Sequence, residues 1–396
     1  MKTSRIILHI DMNCFYASCE LAVNESLRGK PVVIAHNDPF QRSIIVSPSY
    51  EARKYGIKAT MTIKEAFDLC RDIVVAEPDY ELYNHYSKLF HEYLLKITPM
   101  VEMASVDEAF LDLTDVCQGA EVIELAQKIQ KEIYELYKLP TSIGIAPNKL
   151  LAKIASDMKK PMGITVLRKR EIDKYMWPLP IKDLLGVGKK TIEKMDELKI
   201  KTIGDLANYK DLDLLKKTLG NVNALSLYSK ANGIDDSLVN PNETQATSIS
   251  ADHTFYLETY DEKLIKNTIK VLCNTVCHRL QEANQKAMTL GVRFKYGNMK
   301  TYNRSKALSR ATNDEYTWID TCLDVFDEFY EDGQPIRLIG VFGNRLEDAD
   351  KKLEQITIFD DFEKIDKEEV LKKLLKSVND KFGEGAASKG VKSDSK

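Results

Sequence analysis

A chain of 396 residues, 43% hydrophobic and 30% charged, is long enough for more than one buried core, and usual domain sizes divide it into about two to four units. A formal net charge of -3 selects neither for nor against nucleic acid, so any basic surface has to be found by position. Seven cysteines without a CxxC pair, and a strand-like start in place of a basic, apolar leader, exclude a disulfide-stapled secreted scaffold and point to reduced thiols in a cytosol; no apolar run approaches the length that spans a bilayer.

Taken in chain order, "RIILHI" reads as a short apolar strand from Ile6 to Ile10 that passes at Asp11 into a helix-compatible segment, and "KPVVIAH", Lys30 to His36, reads as another strand. "PSYEARKYGI" and "TIKEAFDLCRD" fit short helices, because Ala52, Ile63, Ala66, Phe67 and Cys70 fall near helical spacing. Aromatic and leucine residues three and four apart from Tyr80 to Leu95 predict an amphipathic helix. The region "VEMASVDEAFLDL" follows, then a helix over Glu121 to Tyr137, a strand "TSIGIA", a helix "NKLLAKIASDM" and a strand "GITVL". Strands and helices alternating this way predict an α/β core of about five strands.

Beyond Arg168 the texture changes to helix, glycine turn, helix in "IKDLLGVGKKTIEKMDELKIKTIGDLANY", and "LLKKTLGNVNALSLYSKANGID" repeats the theme. "GVGKKT" is not a phosphate-binding P-loop, since Asp183 stands where that motif needs its first glycine and Lys190 where it needs Ser or Thr. A helix-hairpin-helix fits better: apolar Leu184 and Leu185 precede Gly186 and Gly188, and main-chain N–H groups at the helix start beside Lys189 can face a DNA phosphate without reading bases. An architectural turn is the alternative.

The polar stretch after Gly233, "DDSLVNPNETQATS", has linker composition. A second mixed unit runs from about Ile249 to Asn344, with a helix at Glu262 to Gln281 and the strands "MTLGVRFKYG" and "IRLIGVFGN". Between Ala283 and Asn313 no acidic residue occurs, while Lys286, Arg293, Lys295, Lys300, Arg304, Lys306 and Arg310 form a basic strip suited to a phosphate backbone, a solvated sheet face being the alternative. Alternation in "VRFKY" places Arg293 and Lys295 on one face and Val292, Phe294 and Tyr296 on the other. Cys273, Cys277 and His278 lack a second ligand pair and read as a helix core face. The end beyond Lys351 is charged and helical at best, and "GEGAASKGVKSDSK" has the composition of a disordered tail.

The acids are what a core strand does not explain. Asp11 ends the first strand, and Asp107 and Glu108 sit where "VEMAS" turns into "AFLDL", so a hairpin would set them across from a neighbouring strand end. Adjacent carboxylates on an apolar support repel each other unless a cation neutralises them. Oxygen-only ligands without a histidine pair favour magnesium or manganese over zinc, and a two-metal site of this kind can activate a 3'-hydroxyl and hold nucleotide phosphates. Taken alone, an Asp-Glu pair reads more readily as the tip of a solvated turn.

The order and approximate spacing of "HIDMNCFYASCE", "SYEARKYGIK", "SVDEAFLDLT", "SIGIAPNKLLAKIASDMKKPMGI" and "LLGVGKKT" resemble the Y-family translesion DNA polymerases, and their bacterial DinB, or DNA polymerase IV, branch in particular, over essentially the whole chain to about Phe362. The resemblance implies a multidomain right hand, α/β and α+β in class: a ferredoxin-like palm over 1–18 and 77–167, small fingers over 19–76, a helix-hairpin-helix thumb over 168–233, a linker over 234–247, an α+β little finger over 248–346 and a tail over 347–396. It implies template-directed, low-fidelity addition of deoxynucleotides to a primer 3'-hydroxyl without proofreading, by a cytoplasmic monomer that uses primer-template DNA and no membrane.

Position by position, Asp11, Asp107 and Glu108 match the family's metal-binding triad and the carbonyl of Met12 a further ligand, with two Mg2+ ions, or Mn2+, as the implied cofactors. Tyr16 matches the aromatic steric gate, a ring that leaves no room for a ribose 2'-hydroxyl. Tyr50 and Arg53, together with Ser47, match residues that hold the triphosphate, and Lys160 of "KKP" matches its second cation, with Lys159 as the adjacent competitor. Near the end, "QITIFDDF" resembles the peptide by which bacterial polymerases dock on the sliding clamp, with Gln355, Ile358 and Phe359 as anchors. Asn13 departs from the Asp common in DinB members, and "FYASCE" is closer to the UmuC-like branch; Val46 lies near the expected nascent base pair. Two competing readings make different demands. A nucleotidyl cyclase or metal phosphohydrolase needs no primer-template and leaves the hairpin and basic strip unexplained, and a non-catalytic clamp-tethered DNA-binding factor has no reason to keep all three acids.

Overall fold

β1 (Ile7–Met12) is buried almost throughout, as an apolar strand at the centre of a covered sheet must be. It runs two residues past the expected end at Ile10, so Asp11 lies inside the strand; Cys14, in the left-handed region at φ 41°, then turns the chain into α1 (Phe15–Val23). β2 (Val32–Ile34), β3 (Ser47–Pro48), α2 (Tyr50–Arg53), α3 (Ile63–Leu69) and β4 (Val74–Ala76) form a small lobe with strand order β3-β2-β4 around Val33, Ile45, Ile57 and Ile63. The strand expected over Lys30 to His36 is only three residues long. Pro31, lacking an N–H, cannot extend its ladder.

The chain returns through α4 (Tyr80–Leu95), β5 (Val101–Met103), β6 (Glu108–Asp112), α5 (Glu121–Tyr137), β7 (Thr141–Ala146), α6 (Lys149–Asp157) and β8 (Ile164–Val166). The five strands lie in the order β5-β6-β1-β7-β8, and the succession β1, α4, β5, β6, α5, β7 is a ferredoxin-like β-α-β-β-α-β unit with β8 added in parallel at its edge. Leu8, Ile10, Ala109, Leu111, Ile143 and Ile145 bury one face of the sheet with residues of α4 and α5 such as Phe90 and Ile129.

α6 covers the other face at very short range. A Cβ added at Gly144 of β7 would stand 1.9 Å from the Ala152 carbonyl oxygen and 2.5 Å from the Ser156 nitrogen, both backbone atoms that cannot swing aside. Through Leu150, Leu151 and Ile154, α6 shares its core with a helical region made of α7 (Ile172–Tyr175), α8 (Lys189–Glu197), α9 (Ile203–Ala207), α10 (Leu212–Leu219) and α11 (Asn221–Ala231).

The computed structural model describes residues 5–117, 119–242, 245–331 and 333–350, and these divide near residue 244 into two units. The second holds β9 (Ser248–Thr259), α12 (Glu262–Glu282), β10 (Gln285–Tyr296), β11 (Thr301–Thr312), α13 (Glu315–Phe329) and β12 (Ile336–Asp348), with antiparallel strands in the order β11-β10-β12-β9. α12 and α13 pack on one sheet face around Phe294, Trp318 and Phe326. Cys273 and Cys277 belong to that core while His278 is exposed and paired with Glu282, and all seven cysteines of the chain are free thiols. Among the described residues no helix is long and apolar enough to cross a membrane.

The close contact at Gly144 yields a first prediction. Gly144→Ala should destabilise the first unit by about 1–3 kcal/mol, because backbone must move to admit a methyl group; a denaturant midpoint unchanged from wild type would contradict the packing described.

Candidate active site

Asp11 and Glu108 are direct partners across the β1–β6 ladder, and the Met12 N–H donates to the Asp107 carbonyl at 2.9 Å. The hairpin tip is therefore stitched to the end of β1, and three acids from distant sequence share one corner. Strand alternation puts His9 and Asp11 on the α6 face, where Phe110 and Glu108 lie opposite them. α6 answers with Lys153 and Ser156, and Lys160 follows just beyond its end, spacings of three and four that keep the side chains on one side.

Each of the two paired acids meets a lysine. Lys153 Nζ binds Glu108 Oε2, and Lys160 Nζ lies 2.7 Å from Asp11 Oδ2 and 2.8 Å from Asp157 Oδ1. Asp107 accepts from the Ser105 hydroxyl at 2.5 Å. Beneath them His9 is fully buried, its ring 4.6 Å from that of Phe110. Ser156 donates to the Lys153 carbonyl and hydrogen-bonds His9 Nδ1 at 2.8 Å, with the direction set by the imidazole tautomer, and Nε2 faces Glu108 Oε2 at 3.4 Å.

These contacts set the charges. The His9 contact, long and poorly aligned, and the short Lys153 pair outweigh burial and hold the Glu108 carboxyl down at about 2, the lysine being the firmer hold on geometry. Burial pushes Asp11 up, against the opposing pull of Lys160. For Lys160 burial works against the charge, but Asp11 and Asp157 outweigh it and raise the ammonium above its ordinary value.

Asp11, Met12, Tyr16, Val46, Ser47, Tyr50, Arg53, Asp107 and Lys160 line one cavity of about 260 Å³. Lys160 lines it, whereas Lys159 is exposed outside it. Tyr50 opens α2 behind the N-cap Ser49, and the Arg53 guanidinium lies 4.9 Å from the centre of the Tyr50 ring. Tyr16 rests on Tyr83, ring centroids 4.5 Å apart. Asn13 is buried; its side-chain oxygen accepts from Ser142 Oγ and from the Met162 N–H, which ties the segment after Lys160 to the end of β1.

Among the described residues no three acidic, histidine or cysteine side chains converge on a common point with their side chains as placed. The donor set still fits a hard divalent cation. Its candidate donors are all oxygen, they sit on two adjacent strand ends, and the charges now beside Asp11 and Glu108 are ammonium groups on flexible stems, which another cation can replace.

A second cavity of about 320 Å³ borders Glu108 on its other side, lined by Lys149, Lys153, Leu185 and Lys230 among others. Sequence reasoning missed these lysines and His9. The three-and-four spacing in "NKLLAKIASDMKK" was the available signal for Lys149 and Lys153. Beyond this cavity, Gly186 adopts φ +100°, and exposed Gly188 caps α8 directly ahead of exposed Lys189.

In the second unit the basic residues do not form one strip. Val292, Phe294 and Tyr296 are buried, with Arg293 and Lys295 on the open face, as alternation requires. Arg304 and Lys306, however, pair in register with buried Val292 and Leu290, so they project to the helix side. There Arg304 lies over the Phe329 ring at 5.4 Å and Lys306 approaches Asp324 at 3.9 Å. Arg293 is itself engaged by Asp252 at 2.6 Å; Lys300 is exposed at the β10–β11 turn, and half-buried Arg310 lies within the bulged stretch of β11 between Ala307 and Thr312. Gln355, Ile358 and Phe359 lie outside the described residues.

The fold and this corner define a palm of the nucleotidyl-transferring kind, and comparison with known proteins narrows it. Residues 10–157 match the impB/mucB/samB family, residues 246–358 the C-terminal domain of that family, and residues 182–235 the thumb domain described for DNA polymerase-iota. The chain is 39% identical to DNA polymerase IV of Bacillus velezensis, covering 98% of this chain and 93% of that one. It is 40% identical to DNA polymerase IV of Oceanobacillus iheyensis over 96% of this chain and 90% of that protein, and 38% identical to DNA polymerase IV 1 of Bacillus subtilis over 98% and 93%. A solved Y-family DNA polymerase chimera of Dbh and Dpo4 superposes with a TM-score of 0.77 at 27% identity, covering 87% of this chain and 99% of the other. The chain belongs to the Y-family of translesion DNA polymerases, on its DinB-like, DNA polymerase IV side.

The charge pairing can be read directly. In Lys153→Met the Glu108 carboxyl should titrate well above its value of about 2, toward the ordinary 4.5, followed by carbon-13 NMR of labelled glutamate. Because the folded-state value is lowered, the pair stabilises the fold above the unfolded value and loses that contribution as pH falls toward about 2. An unshifted Glu108 titration would remove Lys153 from this role.

Proposed function

We propose that the chain is a template-directed, low-fidelity DNA polymerase in which the primer 3'-hydroxyl forms a bond to the α-phosphate of a deoxynucleoside triphosphate as the bond to pyrophosphate breaks. The observation that carries this reading is the single cavity where Asp11 and Asp107 meet Tyr16, Tyr50, Arg53 and Lys160, residues drawn from four separate stretches of sequence. Two Mg2+ ions, or Mn2+ in their place, held by Asp11, Asp107, Glu108 and the Met12 carbonyl, supply Lewis-acid activation and charge neutralisation at the phosphates.

The chain's own residues do the positioning. Arg53 offers a planar donor fork, stiffened by its stack on Tyr50, and Lys160 a compact ammonium, to the β- and γ-phosphates; the hydroxyls of Ser47 and Tyr50 complete the cradle. The Tyr16 ring stands beneath the sugar and excludes a 2'-hydroxyl. The lysine-lined cavity beside Glu108 suits the terminal phosphodiester of the primer, and the N–H groups at the start of α8, next to Gly186, Gly188 and Lys189, suit a phosphate further along. Residues 19–76 act as fingers, with helices of only four and seven residues. So small a lobe encloses the nascent pair loosely, which suits damaged templates and low fidelity.

Residues 1–18 and 77–167 serve as palm, 168–233 as thumb and 248–346 as little finger, where Lys295 and Lys300 are the cations best placed for backbone phosphates and Arg293, Arg304, Lys306 and Arg310 contribute less. The tail docks on the sliding clamp through Gln355, Ile358 and Phe359. A cytoplasmic location fits the seven free thiols, and the protein acts as a monomer. Neither a cyclase, a phosphohydrolase nor a non-catalytic binding factor accounts for the acids, the sugar-facing ring and the hairpin together.

Primer extension on a short primer-template with four deoxynucleotides and magnesium tests the reading. Wild type should extend the primer, and the Asp107→Ala, Glu108→Ala double variant should fall by at least about a thousandfold while still binding DNA. Equal extension by both would refute the assignment of the acids, and extension by neither would refute the polymerase.

A further inference from the structure

Tyr16 and Glu20 lie four residues apart in α1 and so share one helical face. Opposite them on α4 stands Tyr83, 1% exposed. The Tyr16 and Tyr83 rings stack with centroids 4.5 Å apart and planes 26° from parallel, and the Tyr83 hydroxyl donates to Glu20 Oε1 at 2.7 Å. Tyr80 meets both rings edge-on, at 6.2 Å and 5.8 Å, and Phe15 lies 5.5 Å from Tyr16 and 6.3 Å from Tyr83. α1 thus grips Tyr83 twice, ring on ring and carboxylate on hydroxyl. Burial and the Glu20 bond both push the phenol above its ordinary range, so it remains a donor.

The two grips do different things. Stacked rings resist separation but slide easily in their own planes, whereas a short bond to a carboxylate at the rim fixes the in-plane position. Glu20 does not line the nucleotide cavity, yet through Tyr83 it bears on Tyr16, which does. We propose that Glu20 is a positioning residue for sugar selection: it holds the Tyr83 hydroxyl, Tyr83 fixes the platform under Tyr16, and the platform sets the clearance that a ribose 2'-hydroxyl would need. The inference rests on the reading of Tyr16 as the ring beneath the sugar, and it adds a determinant that lies outside the pocket.

The test is single-nucleotide insertion, comparing kcat/KM for a deoxynucleotide and its matched ribonucleotide, with the melting temperature of each variant recorded. In Glu20→Ala and in Tyr83→Phe, which keeps the ring and its packing, the deoxy-to-ribo ratio should fall about tenfold. The Glu20→Ala, Tyr83→Phe double variant should fall no further, and Glu20→Gln, whose amide oxygen can accept the same bond, should recover most of the ratio. A purely structural role predicts something else: both substrates lose together, in step with melting temperature, and the ratio stays at wild type. That result, or additive losses in the double variant, overturns the proposal. Tyr16→Ala separates the two levels. If it leaves the ratio unchanged the reading of Tyr16 has failed, and if it collapses the ratio while Glu20→Ala and Tyr83→Phe do not, only the positioning role has failed.

Discussion

Two carboxylates placed side by side across an antiparallel ladder, on a largely buried sheet face, cannot stand without counter-charge. Asp11 and Glu108 are such a pair, and much of the first unit is arranged around supplying what they lack. The counter-charge comes from α6, whose axis approaches the sheet closely because β7 carries Gly144 beneath it. That approach brings Lys153 to Glu108 and lets Lys160, past the end of the helix, reach Asp11. A partly buried lysine pair is a modest stabiliser, since desolvation consumes much of the Coulomb gain. In the proposed function its greater use is that an ammonium can leave and a divalent cation can take its place.

The same corner gathers the remaining chemistry because it is where elements end. β1 delivers Asp11 at its last turn of alternation, and the chain then reverses through Cys14 so that the first turn of α1 presents Tyr16 to the same cavity. The β5–β6 hairpin delivers Asp107 and Glu108, and the short helix α2 delivers Tyr50 and Arg53 from the small lobe. Termini of rigid elements hold side chains more accurately than free loops do, and this site has to place an attacking oxygen, a phosphorus and a sugar at once. The polar lock of Asn13 on Ser142 and on the Met162 N–H belongs to the same economy of ends, and an amide there adds no further negative charge beside Asp11.

Much of this was legible in the sequence, and the illegible part has a common cause. Alternation was enough to bury Val292, Phe294 and Tyr296, and the alternating elements were enough for an α/β core of about five strands, though the strand expected at Lys30 to His36 lies in the separate three-stranded sheet. The acids and the cavity-lining residues came from ordered motifs, and the geometry brings Asp11, Tyr16, Tyr50, Arg53, Asp107 and Lys160 together. What could not be read was cross-strand register and helix-to-strand contact. Arg304 and Lys306 look like neighbours of Arg293 along the chain, yet pairing with Val292 and Leu290 sends them to the opposite face. His9 reads as an ordinary strand residue, and Lys153 as a helix-face charge, until α6 is laid over β1. Glu20 and Tyr83 are 63 residues apart and meet only when α1 packs on α4. Local pattern determines which way a side chain points within its own element; what it then meets depends on long-range pairing.

The central claim is that these acids exchange lysine for a divalent cation when substrate binds, and manganese binding tests it most directly. Electron paramagnetic resonance should count Mn2+ bound to the protein in the presence of primer-template and a non-hydrolysable deoxynucleotide analogue. Wild type should show saturable binding that the Asp11→Asn, Glu108→Gln variant, nearly identical in shape but lacking both charges, has lost. Equal saturable binding by the two proteins would mean that the cation sits elsewhere and that the paired acids serve only their lysines.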